Sequence, residues 1–233
     1  MVHEQAITTV AEYVRLVRSN SEYGCLYRGV TRIGYKLLPS VGRYLDLYLR
    51  VGKTKADLLS DEQKAFRIFY SEAVAHGQDF GDCYWNWLGL AQQHGLATRL
   101  LDWSYSPLAA LFFAVCRPSD ADSCVYVASN KIVFISRAEE GTTDPYKITA
   151  LRAFMPEHIT PRLRAQSGLF TIHPDPTVAM TDGIIGLVRV PNAARGDIKL
   201  ELNHLGVHDK SLFPDIDGLG RWIRWMKFDC LER

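Results

Sequence analysis

The chain has 233 residues, 47% hydrophobic and 11% aromatic, enough to bury one large core in a single domain spanning 1–233. Lys plus Arg number 27 against 26 Asp plus Glu. That balance excludes a nucleic-acid sheath or a polybasic membrane tether, so any anionic partner must be met by a local site.

The N-terminus MVHEQAITTVAEYV has no basic start, apolar stretch or small-residue cleavage site of the kind a secretory signal carries. No apolar run approaches the roughly 18 residues of a membrane span. Cys25, Cys83, Cys116, Cys124 and Cys230 are odd in number and widely separated, with no CxxC pair and no metal spacing to histidine. They read as reduced thiols, and the expectation is a cytoplasmic protein with no membrane contact and no bound metal.

A helix is predicted to open at Thr8 or Thr9, where threonine supplies a capping oxygen and Val10, Val14 and Val17 recur on one face. CLYRGV, residues 25 to 30, reads as a strand entering a turn. Residues 60 to 76 begin with Ser60 and Asp61 and repeat Ala65, Phe66, Phe69 and Ala73 at helical spacing. On that helix Glu62 and Glu72 are either site carboxylates or members of a solvated face. WNWLGLAQQ is a further helix, stopped near Gly95. In SYSPLAALFFAV a serine precedes Pro107, an arrangement that opens helices, and the apolar run after it belongs in the core. CVYVAS, IVFISR and GIIGLVRV are predicted strands. Between the last two lies TPRLRAQSGLFTIHP, a basic turn of helix or loop leading into an apolar segment. A last helix begins at Pro214 and Asp215 and puts Leu219, Trp222, Ile223 and Met226 on one face. Helices and strands mix without regular βαβ alternation, so the fold class expected is α+β.

HGLATRLLDW, residues 94 to 103, mixes leucine and alanine with His94, Thr98, Arg99 and Asp102. As a helix, Leu96, Ala97, Leu100 and Leu101 form one stripe and Thr98, Arg99 and Asp102 the other. As a strand, polar and apolar residues share both faces. The helical pattern fits better. Arg99 and Asp102 are either an ordinary surface ion pair or parts of a site, and His94 is either a helix-end residue or a functional one.

The chain contains no GxGxxG after a strand, no GxxxxGK[ST], no GxSxG and no HExxH, which argues against a Rossmann oxidoreductase, a P-loop NTPase, an α/β-hydrolase and a zinc protease. No acids at metal-ligand spacing favour a nuclease. Arg28 is out of place inside an apolar strand. Its fork and the neighbouring Gly29 suit a phosphate, unless the strand lies at an edge with Arg28 in solvent. Arg162, Arg164 and Gln166 form a second donor-rich cluster, either a solvated face or a second part of such a site.

YRG at 27–29, LLPSVGR at 37–43, LAQQHGLATRLLDWSYSPLAALFFA at 90–114, RLRAQSGLFTIH at 162–173 and SLFPDIDGLGRWI at 211–223 resemble, in order, the signature blocks of the FRG domain family. Tyr27 stands where the family triplet has phenylalanine. The resemblance implies a layout similar to that of ADP-ribosyltransferases, with a mixed or antiparallel split β core flanked by several helices. It also implies a setting in bacterial or phage defence. Tyr-Arg-Gly is similar to the first strand element of those enzymes, and DWSYSPLAALFFA to their serine-bearing strand and following alanine-rich helix. The third element departs from the pattern, since no QxE or ExE follows residue 150 and Gln166 has no acid two positions on.

The resemblance therefore implies an NAD-dependent ADP-ribosyltransferase or NAD glycohydrolase, acting as an intracellular toxin or anti-phage effector. Breaking the bond from ribose to nicotinamide develops an oxocarbenium-like centre, for which Asp102 is the chosen carboxylate, with Glu72 behind it. His94 would bind a ribose hydroxyl or act as base. Tyr27, Arg28, Gly29, Thr98, Arg99, Trp103 and Gln166 would bind the dinucleotide, the arginines gripping its pyrophosphate and Tyr27, Trp103 and Tyr105 walling its rings. Implied partners are a nucleic-acid or protein acceptor and an antitoxin or chaperone. The other reading is a nucleotide or nucleic-acid binding module without catalysis, using Arg221, Trp222, Arg224, Trp225 and Lys227 as a basic and aromatic face.

Overall fold

The computed structural model describes residues 3–20, 24–76, 81, 83–156 and 160–231. In chain order the elements are β1 (His3–Ala6), α1 (Val10–Asn20), β2 (Leu26–Val30), α2 (Leu45–Arg50), α3 (Lys55–Ala73), α4 (Tyr84–Gln93), β3 (Leu100–Ser104), α5 (Pro107–Val115) and β4 (Ser123–Ala128). There follow α6 (Arg137–Thr142), β5 (Arg152–Phe154), α7 (Pro161–Ala165), β6 (Gly168–Ile172), β7 (Ile184–Val190), α8 (Arg195–His204), α9 (Asp209–Leu212) and α10 (Ile216–Lys227). The strands make one mixed sheet in the order β1-β7-β4-β2-β3-β6-β5, in which only β1 and β7 pair in parallel. The fold is α+β.

Side chains alternate across the sheet, so its two faces bury different sets. On one face α5 packs against Tyr27, Val125, Val127, Val188 and Val190, and α4 against Leu100, Phe170 and Ile172. On the other, Leu26, Leu101, Trp103 and Leu169 pack with Leu37, Ala128 and Met180. The approach of α5 to β2 depends on Gly29, where a Cβ would lie 1.9 Å from the Ala110 carbonyl oxygen and 2.6 Å from the Ala114 nitrogen.

Several local expectations meet their reasons here. Ser106 caps α5 by accepting from the Ala109 N–H, directly before Pro107. Gly95, at φ +89°, follows the end of α4. Thr9 caps α1, but the buried side of that helix is Val10 and Tyr13, while Val14 is exposed. α3 starts at Lys55 rather than Ser60, because Thr54 and Asp57 form a reciprocal capping box. Its buried stripe is Leu58, Glu62, Phe66 and Ala73.

Residues 94 to 103 are not a helix. They turn after α4 and enter β3, whose Leu100, Leu101, Trp103 and Ser104 are all buried. A strand covered on both faces loses the alternation that marks a half-buried one, which is why the helical pattern fitted its sequence better. IVFISR forms no strand either, and among the described residues its contribution is one isolated bridge from Phe134 to Ala153. On α10 the side carrying Trp222 packs inward while Ile216 and Ile223 are exposed, so the predicted apolar stripe is only partly core.

Candidate functional site

The sheet opens at its centre. β2 and β3 share one register pair, Tyr27 with Ser104, and part beyond it. By alternation Arg28 leaves the sheet on the side of Leu26, and Asp102 on the side of Leu100. The two meet in the gap. Arg28 Nη1 donates to the Asp102 carbonyl at 2.6 Å and lies 3.3 Å from Asp102 Oδ2. A guanidinium thus takes the carbonyl that a neighbouring strand N–H would otherwise hold. Arg28's side chain is 17% exposed and Asp102's 54%, so the carboxylate is the open member of the pair.

Asp102 is also held from α4, where Gln92 Nε2 donates to Oδ2 at 3.0 Å. Gln92 Oε1 accepts from the Thr98 hydroxyl at 2.6 Å, and Thr98 Oγ1 accepts from the Leu100 N–H at 3.1 Å. Ser40 brackets Thr98 by donating to its carbonyl and accepting from its N–H.

Arg43 comes from the turn after LLPSVG. Its Nε and Nη2 both donate to the Leu38 carbonyl, at 3.2 and 3.1 Å. The residue is exposed. Burial lowers its pKa and so does the neighbouring Arg28, while Asp102 and Tyr35 act in the opposite sense. Arg43 is thus coupled electrostatically to both members of the Arg28–Asp102 pair, and the three together carry net positive charge that an anion could neutralise.

His173, just past β6, closes the site from within the sheet. Its backbone N–H donates to the Arg99 carbonyl, and its ring Nε2 lies 3.1 Å from Thr171 Oγ1, which accepts from Trp103 Nε1 at 2.9 Å. Burial, and then Arg28 and Arg99, push the His173 pKa down to about 4. The imidazole is neutral at physiological pH and adds no further cation.

The other residues singled out in the sequence lie as follows. Arg99 is buried and committed to Glu62, with Nε to Oε1 at 3.1 Å and Nη2 to Oε2 at 2.7 Å, and its guanidinium stacks 4.6 Å from the centre of the Tyr146 ring. Tyr27 and Trp103 are buried in the core, and Tyr35 is the exposed ring beside Arg43. The missing side chain of Gly29 serves α5. His94 is exposed at the end of α4 and Glu72 is exposed on α3. Gln166 Nε2 donates to the Leu212 carbonyl, and Arg162 pairs with Asp215. At the C-terminus Arg221 is paired with Asp209 and Arg224 with Asp229, and Trp222 Nε1 donates to Asn203. These ion pairs lie at the surface, where Arg221 and Arg224 remain 43% and 71% exposed.

Sequence reasoning missed Gln92, Arg43 and His173 as members of the site. All three stand in the quoted blocks, but a polar residue ending a helix, an arginine in a turn and a histidine after an apolar run carry no chemical signal of their own. Among the described residues no three His, Cys, Asp or Glu side chains come together as metal ligands, and no helix is long and apolar enough to cross a membrane.

Residues 24–123 match the model of the FRG domain. This stretch is similar to the FRG domain. It runs from the turn before β2 to the first residue of β4 and contains Arg28, Arg43, Gln92, Thr98 and Asp102. Thr171 and His173 come from outside it. No curated protein and no solved structure matches the chain.

Proposed function

We propose that this protein uses NAD, as an ADP-ribosyltransferase or an NAD glycohydrolase. The observation that carries the reading is the meeting of Arg28 and Asp102 in the gap between β2 and β3, with Arg43 coupled to both electrostatically. Arg28 and Arg43 would fork onto the pyrophosphate, and Tyr35 offers an exposed ring for a base or for nicotinamide. The role of ring wall moves to Tyr35 because Tyr27 and Trp103 are buried. Arg99 has no place in the grip, since Glu62 holds it.

In the reaction the bond from ribose C1′ to the nicotinamide nitrogen breaks and its electron pair leaves with nicotinamide. The positive charge building at C1′ faces the Asp102 carboxylate. A lone pair of the acceptor then bonds to C1′ and the acceptor's proton is released. With water the product is ADP-ribose; with a protein or nucleic-acid acceptor it is the ADP-ribosylated partner. A toxin or anti-phage role, with an antitoxin or chaperone partner, rests on the resemblance alone.

The test is incubation with NAD while nicotinamide is measured, with and without protein and nucleic-acid acceptors. Wild type is expected to release nicotinamide, and Arg28→Ala and Asp102→Ala to slow release by about 100-fold or more. A wild type silent toward NAD under all these conditions overturns the proposal. A salt-dependent shift of labelled oligonucleotide without covalent change would favour the binding-module reading instead.

A further inference from the structure

We infer that Gln92, oriented by Thr98, is a positioning residue that aims the Asp102 carboxylate, a role that rests on Asp102 being the carboxylate of the proposed reaction. The direction of every hydrogen bond in the chain follows from donor inventories. The Leu100 N–H can only donate, so Thr98 Oγ1 accepts there, at 3.1 Å. The hydroxyl proton is then available to Gln92 Oε1, at 2.6 Å. The Asp102 carboxylate can only accept, which fixes the end of the amide facing it as Nε2, donating to Oδ2 at 3.0 Å.

Arg28 Nη1 addresses the same oxygen, at 3.3 Å. Both protein donors therefore converge on Oδ2, while the side chain is 54% exposed. Without Gln92 the carboxylate could rotate about its terminal torsion, which is broad and two-fold, and present either oxygen to Arg28.

Thr98 is 1% exposed, so its hydroxyl is shut off from solvent and acts on the site through Gln92. Ser40 holds the Thr98 backbone on both sides, by donating to its carbonyl at 3.2 Å and accepting from its N–H at 3.0 Å. A dinucleotide-binding role for Thr98 is thus replaced by an indirect one.

The test joins kinetics to a spectroscopic reading of the resting protein. In ¹⁵N spectra the Nε2 proton donated to Asp102 should lie downfield of ordinary glutamine amide protons in wild type and in Thr98→Ser, and should move back to the ordinary position in Thr98→Val and Asp102→Ala. Thr98→Ser should keep nicotinamide release, while Thr98→Val and the near-isosteric Gln92→Met should lower kcat by about 10- to 100-fold with KM within about twofold. Gln92→Met covers the case in which Thr98→Val does not fold, because Gln92 is only half-buried. Unchanged amide resonances in Thr98→Val, or a Gln92→Met protein with wild-type kcat or with its loss confined to KM, would overturn the relay. A wild type that shows the locked amide yet releases no nicotinamide would leave the relay standing and remove the NAD reading.

Discussion

Changing Glu62 to glutamine should lower the melting temperature by about 6–20 °C. Glu62 on α3 and Arg99 before β3 are 1% and 3% exposed, joined by hydrogen bonds of 2.7 and 3.1 Å. Glutamine keeps the shape but supplies one acceptor and no charge, so the guanidinium stays buried against Tyr146 without a counter-charge. Removing one partner of such a pair costs about 3–5 kcal/mol, because the survivor cannot be resolvated in place. For a chain of this size each kcal/mol is worth about 2–4 °C, which gives the stated range. The cation–π contact with Tyr146 offsets part of the loss and favours the lower half of that range. The assay is differential scanning fluorimetry, run beside the singles Glu62→Leu and Arg99→Met and the double variant that combines them. Removing both charges should recover most of the stability, since the desolvation cost disappears with the pair. A single Glu62→Gln protein melting within about 2 °C of wild type, or a double variant as unstable as the sum of the singles, would refute the reasoning.

His173 gives the pH dependence. Its folded pKa is held down to about 4 by burial, then Arg28 and Arg99, against 6.5 for the free group. Between those values the unfolded chain takes up a proton that the folded chain refuses. Its contribution is therefore complete above about pH 6.5 and falls as pH drops, by about 3 kcal/mol at pH 4. Urea unfolding of wild type and His173→Gln from pH 7 to 4 should show the two stabilities converging, and parallel curves would contradict the assignment. Gly29→Ala should cost about 1–3 kcal/mol or more, because the added methyl meets backbone atoms of α5 that only a shift of the helix can relieve. An unchanged urea midpoint would show that α5 gives way freely.

Much of the frame was legible where local chemistry and tertiary environment agree. The valine-rich runs of β4 and β7 are strands because both pack a face against apolar neighbours, and Ser106 with Pro107 marks the start of α5 without help from the fold. Residues 94 to 103 were misread because β3 is buried on both sides. IVFISR has the composition of a strand, yet its one sheet contact is the bridge to Ala153.

The site was legible in part for a related reason. Arg28 and Asp102 are anomalies in apolar strands, and each has the other as its explanation. Arg99 is equally anomalous but is answered by Glu62, 37 positions away, and no local pattern distinguishes the two arginines. His173 follows an apolar run and nothing marks it until Trp103 and Thr171 are seen beside it.

An Arg28–Asp102 site built to grip a pyrophosphate must take up a dinucleotide in the gap between β2 and β3. Calorimetric titration of wild-type protein with ADP-ribose, which carries the pyrophosphate without the scissile bond, should give saturable 1:1 heat that weakens with salt. Arg28→Ala should lower that affinity by about tenfold or more while the protein stays folded. No heat from wild type, or equal affinity in wild type and Arg28→Ala, would contradict it.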